Sequence, residues 1–349
     1  MNGVSPPLPR SYHVLVNARA GGVLEVGAAV LARRLERAFA AVGAVAEVRL
    51  GAPVELAAVL DRLVDPAAVP VLVGGDGTVT CLLPALLRRG LPFGVLPMGT
   101  MNLLAGDLGL TGDLETDVAA LHHGSVGAVD VATLNGVPFH SASGLGFAVT
   151  VAGERERARR WIPFSRSLAT VVATLRAVAR NRPVEVEVEA AGCVERLAAD
   201  AVLVTVNRFE GSPWRRPRLD EGLLEVHLLR TPSLLARWRA ALAVVTGRWR
   251  ALQHLRSLHA TSVVLRRGRG AGARVTLDGE IARSVGPLAY AIQPGALKIL
   301  AADRRVAATA PKRLDPLRLL GLRTTPPERV DAAPPADLRG GEARHADRP

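Results

Sequence analysis

Residues 74–78 read Gly-Gly-Asp-Gly-Thr and directly follow a short apolar run. Gly74, Gly75 and Gly77 allow positive φ and let a bulky anion approach the main chain with no Cβ in the way. Backbone N–H groups in such a turn, with a helix starting near Val79, make a positive concavity suited to phosphate, and Thr78 adds a hydroxyl donor. A carboxylate at Asp76 would repel that phosphate unless it serves Mg2+, a metal-bound water or the proton of an attacking hydroxyl. Taken alone, the five residues also suit a plain Asp-Gly turn. Gly99 and Thr100 repeat the pattern in Pro-Met-Gly-Thr-Met-Asn (97–102). Asn17, Ala18, Arg19, Ala20 and Gly21 close an earlier apolar run with a third polar, glycine-containing loop. Three such loops at three strand ends describe a phosphate site with more than one wall.

The elements that must carry these loops are legible as an alternation. Segments 12–17, 44–50, 69–75 and 92–97 are short, apolar and rich in Val, and Ala/Leu-rich helical stretches at 28–43 and 53–64 separate the first three. This order predicts an α/β domain over residues 10–124, with a parallel sheet covered on both faces and ligands at the carboxyl ends of its strands. After residue 124 the pattern changes. Asn135-Gly136 between two strand-like runs signals a hairpin. A long Arg-rich amphipathic stretch (151–181) follows, then alternating segments at 184–190, 200–207, 222–229, 261–267, 273–279 and 287–293, interrupted by a helix over 232–256. A β-rich, sandwich-like domain is expected over 125–302, and a disordered tail over 303–349.

The ordered set of motifs resembles the diacylglycerol kinase catalytic domain family, which includes bacterial lipid kinases, sphingosine kinases and ceramide kinases. Asn-Ala-Arg-Ala-Gly-Gly (17–22) is similar to its first loop, Gly-Gly-Asp-Gly-Thr matches its nucleotide loop, and residues 96–110 are similar to its Pro-x-Gly-Thr-x-Asn segment. Residues 141–151, 207–226 and the Leu-Asp-Gly-Glu at 277–280 extend the likeness in the right order to about residue 300. The resemblance implies a NAD kinase/diacylglycerol kinase-like fold and transfer of the γ-phosphate of ATP to a lipid hydroxyl. It implies that Asn17, Ala18, Arg19, Ala20, Gly21, Gly74, Gly75, Asp76, Gly77, Thr78, Val79, Thr80, Gly99 and Thr100 hold the nucleotide with Mg2+. Glu280 takes the place of the base that deprotonates the acceptor, with Asp76 close by; read alone, Glu280 would be an exposed hairpin residue. Asp220, Glu221 and Leu223 take the place of a structural Mg2+ site.

The chain departs from that pattern at several positions. Ala18 replaces a proline, Leu103 an aspartate, Gly106 an arginine and Glu221 an aspartate, and Leu50-Gly51 stand where a threonine often follows the second strand. These departures keep a catalytically decayed lipid or nucleotide binder in view. NAD kinase is a further alternative, because it shares the Gly-Gly-Asp-Gly turn.

The net charge is +12, nearly all from arginine. Genome-wide arginine bias accounts for such a balance as well as an anionic partner does. The Arg-rich stretch 154–182, with Trp161, Ile162, Phe164 and Leu168, and Trp214 in the run 211–218 are candidates for contact with an anionic bilayer. A solvated helix packed on the second domain is the plainer reading of the first. No apolar run reaches the roughly 18–20 residues that span a membrane, and the N-terminus lacks a secretory apolar region. A cytoplasmic, peripherally membrane-associated protein is therefore expected, with a lipid substrate, no nucleic acid, and a homodimer allowed. Cys81 and Cys193 are expected as buried free thiols, and His122 and His123 as charged partners of a helix C-terminus.

Overall fold

The structure, a computed structural model, describes residues 11–63, 68–99, 101–161, 166–190, 192–209, 215–245, 248–267 and 272–301. Thr100, Ile162, Phe164, Trp214 and the tail from 303 lie outside these residues, as do the side chains of Trp161 and Leu168.

The first domain runs β1 (Ser11–Asn17), α1 (Gly21–Val26), α2 (Ala28–Ala41), β2 (Val45–Gly51), α3 (Pro53–Arg62), β3 (Ala68–Gly74), α4 (Asp76–Arg89), β4 (Gly94–Pro97), α5 (Leu103–Asp107) and α6 (Leu114–His122). Its four strands are parallel in the order β2-β1-β3-β4. Alternation along β1 divides the core in two. Tyr12, Val14 and Val16 pack with Leu31, Leu35 and Phe39 of α2 and Val118 of α6, whereas Leu15 packs with Leu56 and Leu60 of α3 and Leu82 and Leu86 of α4. Both faces are thus covered, as the alternation requires.

Helix α4 starts at Asp76, three residues earlier than expected. An acidic residue in the first turn complements the helix dipole, so Asp76, Gly77 and Thr78 belong to the helix and not to a loop before it. His122 also corrects the sequence reading. It ends α6 but is buried, and its Nδ1 lies 3.1 Å from the Tyr12 hydroxyl. Burial, with the neighbouring His123, pushes its pKa down, so it is held neutral where a charged dipole partner was expected.

The second domain adds β5 (Ser125–Leu134), β6 (Val137–Phe139), β7 (Ala142–Gly146), α7 (Phe147–Trp161), α8 (Arg166–Arg180), β8 (Val184–Ala190), β9 (Cys193–Ala199), β10 (Ala201–Val206), β11 (Leu224–Leu229), α9 (Leu234–Val245), β12 (Leu255–Ala260), β13 (Ser262–Arg267), β14 (Ala273–Leu277), β15 (Glu280–Ser284) and β16 (Leu288–Ala301). Two six-stranded sheets, β12-β11-β10-β7-β14-β15 and β6-β5-β16-β13-β8-β9, enclose one apolar core. The β5–β6 turn is the expected Asn-Gly hairpin, with φ of 49° at Asn135 and 83° at Gly136. The helix expected over 232–256 stops at Val245; residues 255–260 form β12 because pairing with β11 overrides their local preference. Strand β9 was not foreseen, and its first residue, Cys193, is exposed, while Cys81 is half-buried.

The long β5–β16 ladder joins the two domains. A register shift between Gln293 and Leu297 divides β16. Leu288 and Tyr290 lie in the sandwich core, whereas Leu297 and Ile299 lie in the α/β core. Phe93, just before β4, donates to the Lys298 carbonyl (3.1 Å) and accepts from the Leu300 N–H (2.8 Å). The end of β16 is thereby bridged to the chain just before β4.

Candidate active site

The loops after β1, β3 and β4 meet. Gly75 and Gly99 touch backbone to backbone: a Cβ on Gly99 would lie 2.5 Å from the Gly75 Cα, and one on Gly75 would lie 2.9 Å from the Gly99 Cα. A Cβ on Gly74 would fall 2.3 Å from Thr78 Oγ1. The Met98 N–H donates to the Gly74 carbonyl (2.8 Å) and the Gly22 N–H to the Met98 carbonyl (3.0 Å), so one chain of bonds ties all three loops. Asn102, at φ 51°, closes the third loop on itself. Its Oδ1 accepts from the Gly99 N–H (2.8 Å) and its Nδ2 donates to the Gly99 carbonyl (2.9 Å).

Asn17 braces this wall from within. Its Nδ2 donates to Thr78 Oγ1 (2.7 Å) and its Oδ1 accepts from the Arg19 N–H (2.9 Å), with both Asn17 and Thr78 buried. Ala18 and Ala20 donate main-chain bonds to the carbonyls of Gly51 and Asn17, and Gly21 opens α1. Val79 is buried in the core beneath. No side chain caps the N-terminus of α4. Glycine-only contacts with an uncapped, 14-residue helix facing them suit a phosphate group.

Asp76 is half-buried, and its Oδ1 lies 3.3 Å from the Leu104 N–H, in the first turn of α5. The tertiary structure then brings up the β14–β15 turn. Thr80 Oγ1 donates to Asp278 Oδ2 (2.9 Å) across 198 residues of sequence. The buried Asp278 carboxylate also accepts the N–H groups of His140, Ser141 and Ala142 at 3.1, 2.8 and 3.1 Å. Two residues on, Glu280 is exposed, and its Oε1 lies 3.9 Å from where a Cβ on Gly77 would be. The two acids singled out from sequence therefore meet at one helix N-terminus, Asp76 fixed in its first turn and Glu280 reaching over it from the other domain.

A buried ion pair that the sequence did not reveal closes the ring. Arg216 Nε donates to Asp107 Oδ2 (2.7 Å), its N–H to Asp107 Oδ1 (2.9 Å) and its Nη1 to the His140 carbonyl (2.6 Å). Burial pushes the Asp107 carboxyl up; Arg216 opposes this and nearby Asp76 adds to it. Arg216 Nη2, Ser141 Oγ, the amide of Asn207 and both ring nitrogens of His140 are buried without a hydrogen bond, although His140 Nε2 lies 3.6 Å from Asp278 Oδ2, so such atoms gather at this domain junction. Asp107 lies one helical turn beyond Leu103, and nothing in the spacing of Asp107 and Arg216 signals their pairing.

Residues 220–223 are arranged differently. Asp220 Oδ1 pairs with Arg218 Nε (3.1 Å), Glu221 accepts from the Arg208 N–H (3.0 Å), and the Leu223 carbonyl accepts from the Asn207 N–H (3.0 Å). No group of three His, Cys, Asp or Glu side chains able to hold a metal occurs among the described residues. Glu221 Oε1 also lies 3.7 Å from Arg208 Nε, so a guanidinium stands beside each acid and a divalent cation would have to displace both.

Known proteins match in two blocks. Residues 11–134 match the family model for the diacylglycerol kinase catalytic domain, and residues 143–301 match that for the YegS C-terminal NAD kinase beta sandwich-like domain. A Bacillus anthracis str. Sterne protein provisionally described as a diacylglycerol kinase superposes with a TM-score of 0.68 at 18% identity, over 87% of this chain and 99% of that one. A second structure, of a diacylglycerol kinase from the same organism, gives 0.59 at 15% identity, over 86% and 99%. These likenesses establish the fold. Over 84 residues the chain is 32% identical to the uncharacterized protein sll0036 of Synechocystis sp., a match that spans 24% of this chain and only 19% of that relative. With its first block carrying the glycine loops and its second the Asp278–Glu280 turn, the chain carries a diacylglycerol kinase catalytic domain over residues 11–134 and a YegS C-terminal NAD kinase beta sandwich-like domain over residues 143–301.

Proposed function

We propose that the protein is a lipid kinase that transfers the γ-phosphate of ATP to a lipid hydroxyl. The observation that carries this reading is the approach of Glu280, on the second domain, to Gly77 at the N-terminus of α4. A phosphate wall by itself suits any nucleotide binder. A carboxylate held across a domain boundary at that wall suits the removal of a proton from an acceptor oxygen.

In this reading Gly74, Gly75, Gly77 and Gly99 keep side chains away from the triphosphate, and the α4 N-terminus faces its charge. Asn17 and Thr78 hold the wall rigid, which matters because phosphoryl transfer depends mainly on positioning and charge neutralisation. Mg2+, when bound with ATP, would neutralise phosphate charge, and Asp76 is the acid that would hold it. Glu280 accepts the proton of the lipid hydroxyl. Asp278 fixes the turn that carries Glu280 by receiving four hydrogen bonds from both domains.

The test is phosphate transfer from labelled ATP to diacylglycerol, phosphatidylglycerol, a sphingoid base, ceramide and NAD in parallel. Transfer to one lipid is expected, with Glu280→Gln retaining ATP binding and losing at least 100-fold in turnover, the usual order for removing a general base (roughly 10²–10⁴). Transfer to NAD alone would favour the soluble-substrate alternative. Transfer to none of them, with Asp76→Ala leaving ATP binding unchanged, would indicate a binder that has lost catalysis.

A further inference from the structure

Helix α9 carries an exposed apolar face. Leu234, Leu235, Trp238 and Leu242 are 54, 61, 37 and 63% exposed. At 3.6 residues per turn they fall within an arc of about 100°. The opposite side anchors the helix: Ala240 is buried, Arg237 Nη2 pairs with Asp200 Oδ1 (3.1 Å), and Arg237 Nη1 donates to the Asn181 carbonyl (2.9 Å). Three leucines and a tryptophan turned outward on an anchored helix exceed the scatter of single exposed apolar residues that a soluble surface shows.

The charge around this face is not uniform. Residues 226–277 contain ten arginines and no Asp or Glu, and residues 157–184 contain seven arginines and none. The whole chain carries only +12, so everything outside these two runs is net negative. A general arginine bias would spread its charge; this distribution is segregated. The structure brings the runs together, because α8 packs on both α7 and α9, and α7 lies against β7, β10, β14 and β15. Arg176, Arg180 and Arg239 are exposed on α8 and α9; of the acids nearby, Glu154 of α7 is buried and paired with Arg157 and Arg180, Asp200 is buried and paired with Arg237, and Glu156 of α7 is exposed.

From these observations we infer that α9 is a membrane-docking element, inserting Leu234, Leu235, Trp238 and Leu242 into an anionic bilayer while the arginines of α8 and α9 meet its headgroups. Apolar residues at the centre with cations beside them match the layering of a lipid interface, where tryptophan is favoured and each arginine near the surface adds attraction. A second copy of the chain is disfavoured, since a two-fold interface here would set one arginine-rich face against another. Nucleic acid would satisfy the arginines and leave the leucines in water. The inference rests on the lipid-kinase reading for its purpose and connects to the same site. Arg155 of α7 donates from Nη2 to the Gly279 carbonyl (3.2 Å), so the helical layer that would meet the bilayer also touches the turn carrying Glu280.

Sedimentation of the full chain with vesicles tests this without requiring catalysis. Binding to phosphatidylcholine vesicles is expected to rise on adding phosphatidylglycerol and to fall with salt. Leu234→Ser combined with Trp238→Ser should lower the partition coefficient about 100-fold, roughly tenfold for each side chain withdrawn from the apolar layer. Arg176→Glu should lower binding about tenfold at low salt and little at high salt. Leu24→Ser and Val54→Ser, equally exposed on α1 and α3, should leave binding unchanged. Unchanged melting temperatures confirm folding, and Leu235→Ser serves if the double variant unfolds. Failure of the wild type to bind anionic vesicles, or α9 variants that bind as well as wild type, would overturn the inference. So would an α9 variant that converts a dimer to a monomer by light scattering, or binding that appears only after residues 303–349 are removed, since each names another occupant of the face. Turnover of a monomerically dispersed short-chain lipid is unaffected by any of these outcomes, which separates failure of docking from failure of the kinase reading.

Discussion

Two glycine-to-alanine changes seven residues apart, Gly99→Ala and Gly106→Ala, should move stability in opposite directions. At Gly99 the new Cβ would sit 2.5 Å from the Gly75 Cα and 2.7 Å from Asn102 Oδ1. Carbon atoms make ordinary contact at about 3.5–4.0 Å, so the β3 and β4 loops must part by about 1 Å. The Gly75 atom is backbone and has no rotamer to escape into. Overpacking of this kind costs about 1–3 kcal/mol. The bond from the Gly99 N–H to Asn102 Oδ1 (2.8 Å) would be strained with it, adding about 1 kcal/mol. A loss of about 2–4 kcal/mol is therefore expected, together with loss of ATP binding, because the parted loops are the proposed phosphate wall. At Gly106, inside α5, an added Cβ meets nothing within 4 Å, so alanine should stabilise by about 0.5–1 kcal/mol through helix propensity. Chemical denaturation and ATP titration of the two variants are the assays. A Gly99→Ala protein as stable as wild type, with ATP affinity intact, would refute the close contact of the loops and the phosphate site built on it.

The Asp107–Arg216 pair makes a second prediction: Asp107→Asn should cost about 3–5 kcal/mol by leaving a buried guanidinium without its counter-charge, whereas Asp107→Leu with Arg216→Met should recover most of it. A double-variant cycle by denaturant unfolding checks this, and additive effects would deny the coupling. His122 predicts a pH dependence. Its pKa is lowered in the folded protein, so below the unfolded value of about 6.5 the unfolded chain takes up a proton that the folded chain resists. Stability from this residue is present above that pH and lost as the pH falls through the folded pKa; thermal melts of wild type and His122→Asn across pH 5–8 (roughly, the range in which histidine titrates) should show the slope only in the former.

Segments that bury one face against a neighbour were readable because their pattern is local. Alternating valines marked β1 and β3, Asn135-Gly136 marked a hairpin through its positive φ, and glycine at 74, 75 and 99 marked places where main chains approach closely. Segments whose state depends on a distant partner were not readable: β12 became a strand through pairing with β11, across the intervening α9. The same division holds at the site. Asp76 stood out because a carboxylate among glycines is anomalous at close range. Its surroundings did not: Asp107 and Arg216, 109 residues apart, form an ion pair that no spacing encodes. Burial was likewise misjudged for Cys193 and His122, since exposure depends on what packs above a residue.

What the sequence determined by itself was the class of the molecule and its glycine loops, because glycine's conformational freedom, strand alternation and helix starts act over a few residues. What only the tertiary structure decided was the meeting of Glu280 with Gly77, brought about by Asp278 receiving Thr80 from one domain and residues 140–142 from the other. A hydrogen bond acts over about 3 Å, so its partners cannot be known until folding has closed the chain between them.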